Sequence, residues 1–175
     1  IQGLTEFIPI SSSGHLVIAQ WLFGHTSDHL FLEVINIGTF LALLVYFAPK
    51  IWNITRDVVV NKKVILARNI LITAVPAGVV GYLLSDFINT TPFFGSIWVV
   101  VATLFVVGVI MVVLEKLPRL SNVTDGESLG ASRALTIGLA QMLALIPGVS
   151  RSGSTIITGR LMGLRAKEAA EYSFL

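Results

Sequence analysis

The 175-residue sequence has no cysteine, and only 13% of its residues are charged. Without cysteine there are no disulfides and no thiolate metal sites, so any catalysis must use other side chains. Soluble domains average about 25% charged and about 45–50% apolar residues. This chain is instead 54% hydrophobic, with a mean hydropathy of +0.84. Such a composition is typical of an integral membrane protein.

Two further features are missing from the sequence. No basic surface interleaved with aromatic residues is present, so we expect no nucleic-acid partner. We do not expect the first residues to form a signal peptide, because Gln2 and Glu6 come too early for its basic and apolar regions. The sequence starts at Ile1 and stops within what reads as the start of another apolar segment, residues 159–175. We therefore expect a fragment truncated at both ends.

Three apolar stretches are long enough to cross a bilayer, which needs about 20 residues of helix. They cover residues 30–49, 69–88 and 93–114. Lys and Arg concentrate in the loops after the first and third stretches, and none occurs in the loop 25–29 or between the second and third stretches. The positive-inside rule places the basic loops in the cytoplasm and the others outside.

Two other apolar segments, 1–23 and 134–158, are interrupted by proline, glycine and clustered serines. Broken helices at membrane depth occur where they line a cavity or lie buried in protein. A shift of 139 residues superposes the two interruptions. The matching residues are Ser11, Ser13 and Gly14 in the first and Ser150, Ser152 and Gly153 in the second. Three spans separate the copies, so the second is inverted. We predict an all-α polytopic membrane protein with inverted repeats and two re-entrant segments that meet near the midplane.

The serine clusters have the character of an anion site. A serine at a helix N-cap, followed by free backbone amides at the positive end of the helix dipole, binds anions. Two such helix starts facing each other would hold both phosphates of a diphosphate. The predicted substrate-binding residues are Ser11, Ser13, Gly14, Ser150, Ser152, Gly153 and Thr155. The alternative is that these serines only cap buried helix ends.

Arg151 needs an anionic partner, because a guanidinium within a membrane segment costs about 2.5–3.5 kcal/mol on insertion scales. That partner is either a phosphate, which suits its planar donor fork, or the Glu6 carboxylate. Glu6 is placed to take a proton from a serine hydroxyl or to bind a divalent cation. His15 follows Ser12 by three residues, and it either protonates a leaving group or packs between helices.

The stretches 2–15, QGLTEFIPISSSGH, and 147–153, PGVSRSG, resemble the two signatures of the undecaprenyl-diphosphatase family associated with bacitracin resistance. The resemblance implies hydrolysis of undecaprenyl diphosphate to the monophosphate carrier used in cell-wall synthesis, at the plasma membrane of a bacterium, with the site open to the outer face. It implies Glu6, Ser12 and Arg151 as the functional set and a divalent cation, Mg²⁺ or Ca²⁺. That family carries Glu or Gln at the position of Gln2, the second candidate metal ligand, and this chain has the less acidic form.

We expect Ser12 to attack the terminal phosphorus with assistance from Glu6, while Arg151 holds the developing charge. Direct attack by water, with Ser12 only binding phosphate, is the alternative mechanism. Two rival functions remain: a transporter or polyprenyl-phosphate flippase, because inverted repeats with broken helices are a transport architecture, and a structural subunit with Arg151 and Glu6 as a buried pair. The sequence leaves a homo-oligomer open.

Overall fold

The structure, a computed structural model, describes residues 1–24, 29–116, 123 and 126–175. Most of the predicted outer loop at 25–29 and most of the basic loop after the third span lie outside these residues. In the described chain the secondary structure is helical, apart from one isolated bridge between Val123 and Leu164. The nine α-helices are α1 (Gln2–Thr5), α2 (Ser12–Phe23), α3 (His29–Val59), α4 (Ile65–Leu83), α5 (Ser85–Thr90), α6 (Ile97–Lys116), α7 (Ala131–Gln141), α8 (Arg151–Leu161) and α9 (Ala166–Phe174).

Among the described residues, three helices are long and apolar enough to cross a membrane: α3, α4 and α6. Most of their surface is exposed in this chain, as expected for helices that lipid or further protein covers. The expectation of an all-α protein with several membrane spans is confirmed. The route by which the two broken segments enter the membrane remains a prediction.

The observed helix bounds differ from the three apolar stretches at their polar ends. Helix α3 continues through Pro49 to Val59, ten residues beyond the predicted end. Proline removes one backbone hydrogen bond but does not end α3, since membrane helices tolerate proline. Helix α4 begins at Ile65 and includes Asn69, whose buried side chain donates to the carbonyls of Gly126 (3.1 Å) and Leu129 (2.7 Å). Asn69 can lie within the helix because carbonyls from another segment accept both of its amide protons.

Helix α7 packs along α4, and α8 packs against α7 and α9. Their shared core contains Leu129, Ile137 and Ile156. Thr73 of α4 ties the layers together, since its hydroxyl donates to the Ala134 carbonyl (3.0 Å) and accepts from the Tyr172 hydroxyl (2.7 Å). Hydrogen bonds of this kind hold helices together where no hydrophobic driving force acts between them.

Gly138 marks the closest approach of α7 to α4. A Cβ atom at this position would lie 2.7 Å from the Thr73 carbonyl oxygen and 2.9 Å from that of Ile72. Pro76 has no N–H, so the Ile72 carbonyl lacks its usual helical donor and is open to the approaching glycine. The packing of α7 on α4 therefore depends on a residue without a side chain.

We expect Gly138→Ala to destabilise the protein by about 1–3 kcal/mol, because the added methyl group forces α7 away from α4. The measurement is the thermal unfolding midpoint of the purified protein in detergent, followed by circular dichroism. Gly108→Ala in α6 is the matched control, because its methyl group meets nothing within 4 Å. Equal midpoints for the two variants would contradict the close-packing interpretation.

Candidate functional site

The two serine clusters form the same local structure. Ser11 is the N-cap of α2, and its Oγ accepts from the Gly14 amide (3.4 Å). Ser150 is the N-cap of α8, and its Oγ accepts from the Gly153 amide (3.0 Å). In each cluster the cap serine also contacts the second serine along, Ser13 or Ser152, at 3.4 Å and 3.2 Å respectively. The sequence repeat is thus a repeat of the helix-capping hydrogen bonds.

The two helix starts also contact each other reciprocally. A Cβ on Gly14 would lie 3.4 Å from the Cα of Gly148, and a Cβ on Gly153 would lie 3.1 Å from the carbonyl oxygen of Pro9. The 139-residue shift turns the first contact into the second, since it takes Gly14 to Gly153 and Pro9 to Gly148. The two breaks therefore face each other about a local two-fold relation. A side chain at Gly153 would force the Pro9 backbone to shift, whereas the Gly14 distance is an ordinary van der Waals contact.

A cavity of about 160 Å³ lies between the two helix starts. Its lining consists of Thr5, Glu6, Ile8, Ser11, Ser12, Ser13, Ala144, Val149, Ser150, Arg151, Ser152 and Phe174. The lining contains predicted site residues from both broken segments. The first segment contributes the Glu6 carboxylate and serine hydroxyls, and the second contributes the Arg151 guanidinium and further serine hydroxyls. Backbone amides at the N-termini of α2 and α8, which have no partner within their own helices, add donors suited to an anion.

Ser12 and Glu6 are in direct contact within this cavity. The Ser12 hydroxyl donates to Oε2 of Glu6, which also accepts from the Gln2 amide (2.9 Å). An ionised carboxylate only accepts, so the Ser12 proton points at Glu6 and the oxygen lone pairs point elsewhere. This arrangement of a hydroxyl and a base is the one that activates a serine nucleophile.

The backbone at Ser11 is strained, which helps to aim Ser12. Ser11 has φ 61° and ψ 87°, a left-handed conformation that costs a residue with a side chain about 1–3 kcal/mol. Its repeat partner Ser150 is extended, with φ −67° and ψ 127°. The two caps therefore differ in conformation, and the strained one immediately precedes the residue bonded to Glu6.

Arg151 is the first residue of α8, the position that Ser12 occupies in α2. Its side chain is exposed, and within the described part of the chain the guanidinium forms neither an ion pair nor a hydrogen bond. The pairing with Glu6 that the sequence left open is thus not formed. Arg151 lines both the polar cavity and a neighbouring one of about 250 Å³, which Thr155 and Gln141 also line. An unpaired cation at this point is a receptor for an anion.

Five predicted residues lie outside the lining of the polar cavity, namely Gly14, Gly153, Thr155, His15 and Gln2. Gly14 and Gly153 are buried behind it, where they allow the backbone contacts described above. Thr155 is buried on the next turn of α8 and hydrogen bonds to the Ser173 hydroxyl. His15 donates from Nδ1 to the Ser11 carbonyl (2.9 Å) and so supports the helix start.

Gln2 is buried, and its Oε1 has no hydrogen-bond partner, while its amide nitrogen donates to Glu6. Among the described residues no group of three or more His, Cys, Asp or Glu side chains could form a complete metal cage. Mg²⁺, however, is usually held by one or two carboxylates together with substrate phosphates. A carboxylate beside an orphaned amide oxygen fits that partial set of ligands.

Two residues outside both motifs contact the site, and the sequence analysis missed them. Thr103 of α6 donates to the Pro147 carbonyl (2.6 Å) and so fixes the second break against a spanning helix. Asn36 of α3 accepts from the Gln2 amide (2.8 Å). Each is a polar residue within an apolar span, which was the available signal, because polar side chains in such spans hydrogen bond to neighbouring helices and segments.

The comparisons with known proteins cover the whole chain. A family model described as "Bacitracin resistance protein BacA" matches residues 1–175. Relatives named undecaprenyl-diphosphatase include those of Rubrobacter xylanophilus and Halothermothrix orenii, each 41% identical across 100% of this chain and 67% and 66% of the relative. One from Methanococcus maripaludis is 34% identical, covering 100% of this chain and 70% of the relative. The chain thus spans about two thirds of the length of these relatives. The resemblance inferred from the two motifs is confirmed.

Proposed function

Because the chain belongs to the family of the bacitracin resistance protein BacA, we propose that the protein hydrolyses undecaprenyl diphosphate to undecaprenyl phosphate and inorganic phosphate. This reaction recycles the lipid carrier of cell-wall synthesis and confers bacitracin resistance. One observation supports it most strongly. A serine hydroxyl bonded to a carboxylate shares a small polar cavity with an unpaired guanidinium, which is the set of groups that phosphoryl transfer to serine requires.

The proposed reaction has two steps. The Ser12 oxygen attacks the terminal phosphorus while its proton passes to Glu6, and the bond from that phosphorus to the bridging oxygen breaks. Undecaprenyl phosphate leaves, and a phosphoserine remains. Glu6 passes the serine proton to the departing phosphate group and is ionised again. Water then attacks the phosphoserine while Glu6 accepts a proton from it, and Glu6 returns that proton to the Ser12 oxygen as the bond from phosphorus to this oxygen breaks. Inorganic phosphate is released and the starting state is restored.

In this mechanism Arg151 and the amides at the starts of α2 and α8 bind the phosphates and stabilise the charge that develops in transfer. Donors fixed in place before reaction lower the barrier because they need no rearrangement as charge develops. The cap serines Ser11 and Ser150 keep the two helix starts in place, and Ser13 and Ser152 add hydroxyls to the lining. Arg151 is ready for this role because no carboxylate among the residues that the structure describes pairs with it.

We also propose a divalent cation, Mg²⁺ or Ca²⁺, at the Glu6 end of the cavity. Glu6 and the Oε1 atom of Gln2 would hold it together with substrate phosphate oxygens. The support is the unpartnered, buried Gln2 oxygen next to the carboxylate. A cation there would neutralise charge on the transferring phosphoryl group.

The protein is a multi-pass membrane protein by its helices and its family. We propose the plasma membrane of a bacterium as its location, with the site open to the outer face. Family membership supports the first part, and the absence of Lys and Arg between the second and third spans supports an outer placement of that loop. A homo-oligomer is compatible with the exposed apolar surfaces of α3 and α6.

A transporter or polyprenyl-phosphate flippase is the second candidate function. The observation that favours it is the reciprocal contact of two broken helices, a geometry that transporters use for their substrate sites. Transport needs the Arg151 cation but has no use for a serine proton directed at Glu6. Both functions would place an anionic headgroup in the same cavity.

The test is an assay of inorganic phosphate released from undecaprenyl diphosphate by the purified full-length protein in detergent. We expect release that depends on protein concentration, and none from undecaprenyl phosphate as the control substrate. A folded protein that releases no phosphate, yet moves the lipid across vesicle membranes, would replace the enzyme with the flippase.

A further inference from the structure

Asn36 contacts the reacting groups through one intermediary. It lies on α3, away from both serine clusters, and neither motif includes it. The Gln2 amide nitrogen donates one proton to Oδ1 of Asn36 (2.8 Å) and the other to Oε2 of Glu6 (2.9 Å). Since Glu6 also accepts from Ser12, an unbroken hydrogen-bond chain runs from Asn36 to the proposed nucleophile.

The direction of each bond in this chain is determined by the carboxylate at its centre. Ionised Glu6 can only accept, so Gln2 must present its NH₂ group to it. The second proton of that NH₂ group then needs an acceptor, and Asn36 supplies its carbonyl oxygen rather than its own NH₂ group. The amide orientations of Gln2 and Asn36 are therefore both fixed by Glu6.

Gln2 depends on this second bond. Its side chain is 6% exposed, so water does not replace a lost partner. Helix α1 packs on α2 and α3. The contact with Asn36 thus ties α1 to a long spanning helix at the point where Gln2 bonds to Glu6.

We propose that Asn36 is a positioning residue for the reaction, acting through Gln2 to hold the Glu6 carboxylate against the Ser12 hydroxyl. This inference rests on the proposed function. It assigns to α3 a part in catalysis that neither serine cluster provides. At a saturating Mg²⁺ concentration, where the cation proposed at Glu6 and Gln2 stays bound, it also predicts that α3 affects turnover rather than the binding of the diphosphate, because Arg151 and the helix amides do not contact Asn36.

The experiment measures kcat and KM for phosphate release from undecaprenyl diphosphate by the full-length protein. We expect Asn36→Leu to lower kcat by about 10-fold, with KM unchanged within about twofold, as is typical of residues that orient catalytic ligands. Asn36→Asp keeps an acceptor in the same place and should recover most of kcat. Thr39→Val is the matched control on the same helix, because Thr39 hydrogen bonds only to the backbone of α3, and it should match the wild type.

A double-mutant cycle separates positioning from general stability. In a Gln2→Leu background, Asn36→Leu should have no further effect on kcat, because Gln2 is the only route from Asn36 to Glu6 in the proposal. Full additivity, or wild-type kcat in Asn36→Leu, would overturn the inference. If Asn36→Leu is not recovered folded, Asn36→Ala gives the same comparisons. An inactive wild type would instead refute the proposed function itself.

Discussion

Replacing Arg151 with alanine is expected to lower kcat for phosphate release by about 10²–10³-fold, the loss typical of removing one fixed donor to transition-state charge. The reason is the state of the guanidinium in the structure. It lines the cavity that Ser12 also lines, and no carboxylate within the described chain neutralises it. Its positive charge is therefore available to the transferring phosphoryl group.

Two further variants identify what Arg151 contributes. Arg151→Lys keeps the charge but loses the planar fork that binds two phosphate oxygens at once, so it should recover only part of the activity. Arg160→Ala is the matched control on the same helix, because Arg160 pairs with the exposed Glu115 (2.8 Å) and lies away from the cavity. Arg160 is itself only 19% exposed and also donates to the Leu114 carbonyl (3.3 Å), so the thermal unfolding midpoint of the control is measured beside its kcat. Equal losses for Arg151→Ala and Arg160→Ala would indicate that α8 tolerates no change, and would remove the argument for phosphate binding.

The spanning helices were predictable because bilayer thickness demands about 20 apolar residues in a row. Their ends were not, because ends depend on partners that are distant in sequence. Helix α4 begins at Ile65, before the predicted span that starts at Asn69. The Asn69 side chain is accommodated there because it donates to the carbonyls of Gly126 and Leu129. Hydropathy identifies the apolar part of a helix but does not predict how far the helix continues into polar sequence.

The two helix starts were predictable from the serine–glycine spacing, because N-cap chemistry is local. The reciprocal contact between them was suggested by the 139-residue repeat and is seen in the Gly14 and Gly153 packing. What the sequence did not indicate is the route from Asn36 through Gln2, or the bond from Thr103 to Pro147. Both partners belong to spanning helices, and pairing of this kind is set by tertiary packing rather than by spacing.

His15 shows what helical spacing can predict about a contact. Its spacing from Ser11 and Ser12 suggested a shared face, and that spacing does bring it to the Ser11 carbonyl. The contact uses the backbone of the cap residue, so His15 supports the strained conformation of Ser11 rather than lining the polar cavity. Helical periodicity predicts which residues are neighbours and not which atoms they use.

Replacing Ser12 with alanine is expected to abolish phosphate release, with kcat lowered by at least about 10³-fold, as happens when other hydrolases lose their nucleophile. Ser13→Ala should reduce activity far less, because Ser13 hydrogen bonds to Ser11 and does not contact Glu6. Ser13→Ala is a matched control for Ser12→Ala because the two serines are adjacent on α2 and line the same cavity. Any difference between them then reflects the bond to the carboxylate.

The covalent step gives a second measurement on the same protein. Rapid acid quenching during turnover, followed by mass spectrometry, should find a phosphoryl group on the peptide that contains Ser12, and none in the Ser12→Ala variant. Glu6→Gln should slow formation of this species, because an amide cannot accept the serine proton. Retention of most activity by Ser12→Ala would instead mean that water attacks the phosphorus directly and that Ser12 only binds phosphate. Under that outcome Glu6 would still act as the base, and its loss would remain as damaging as before.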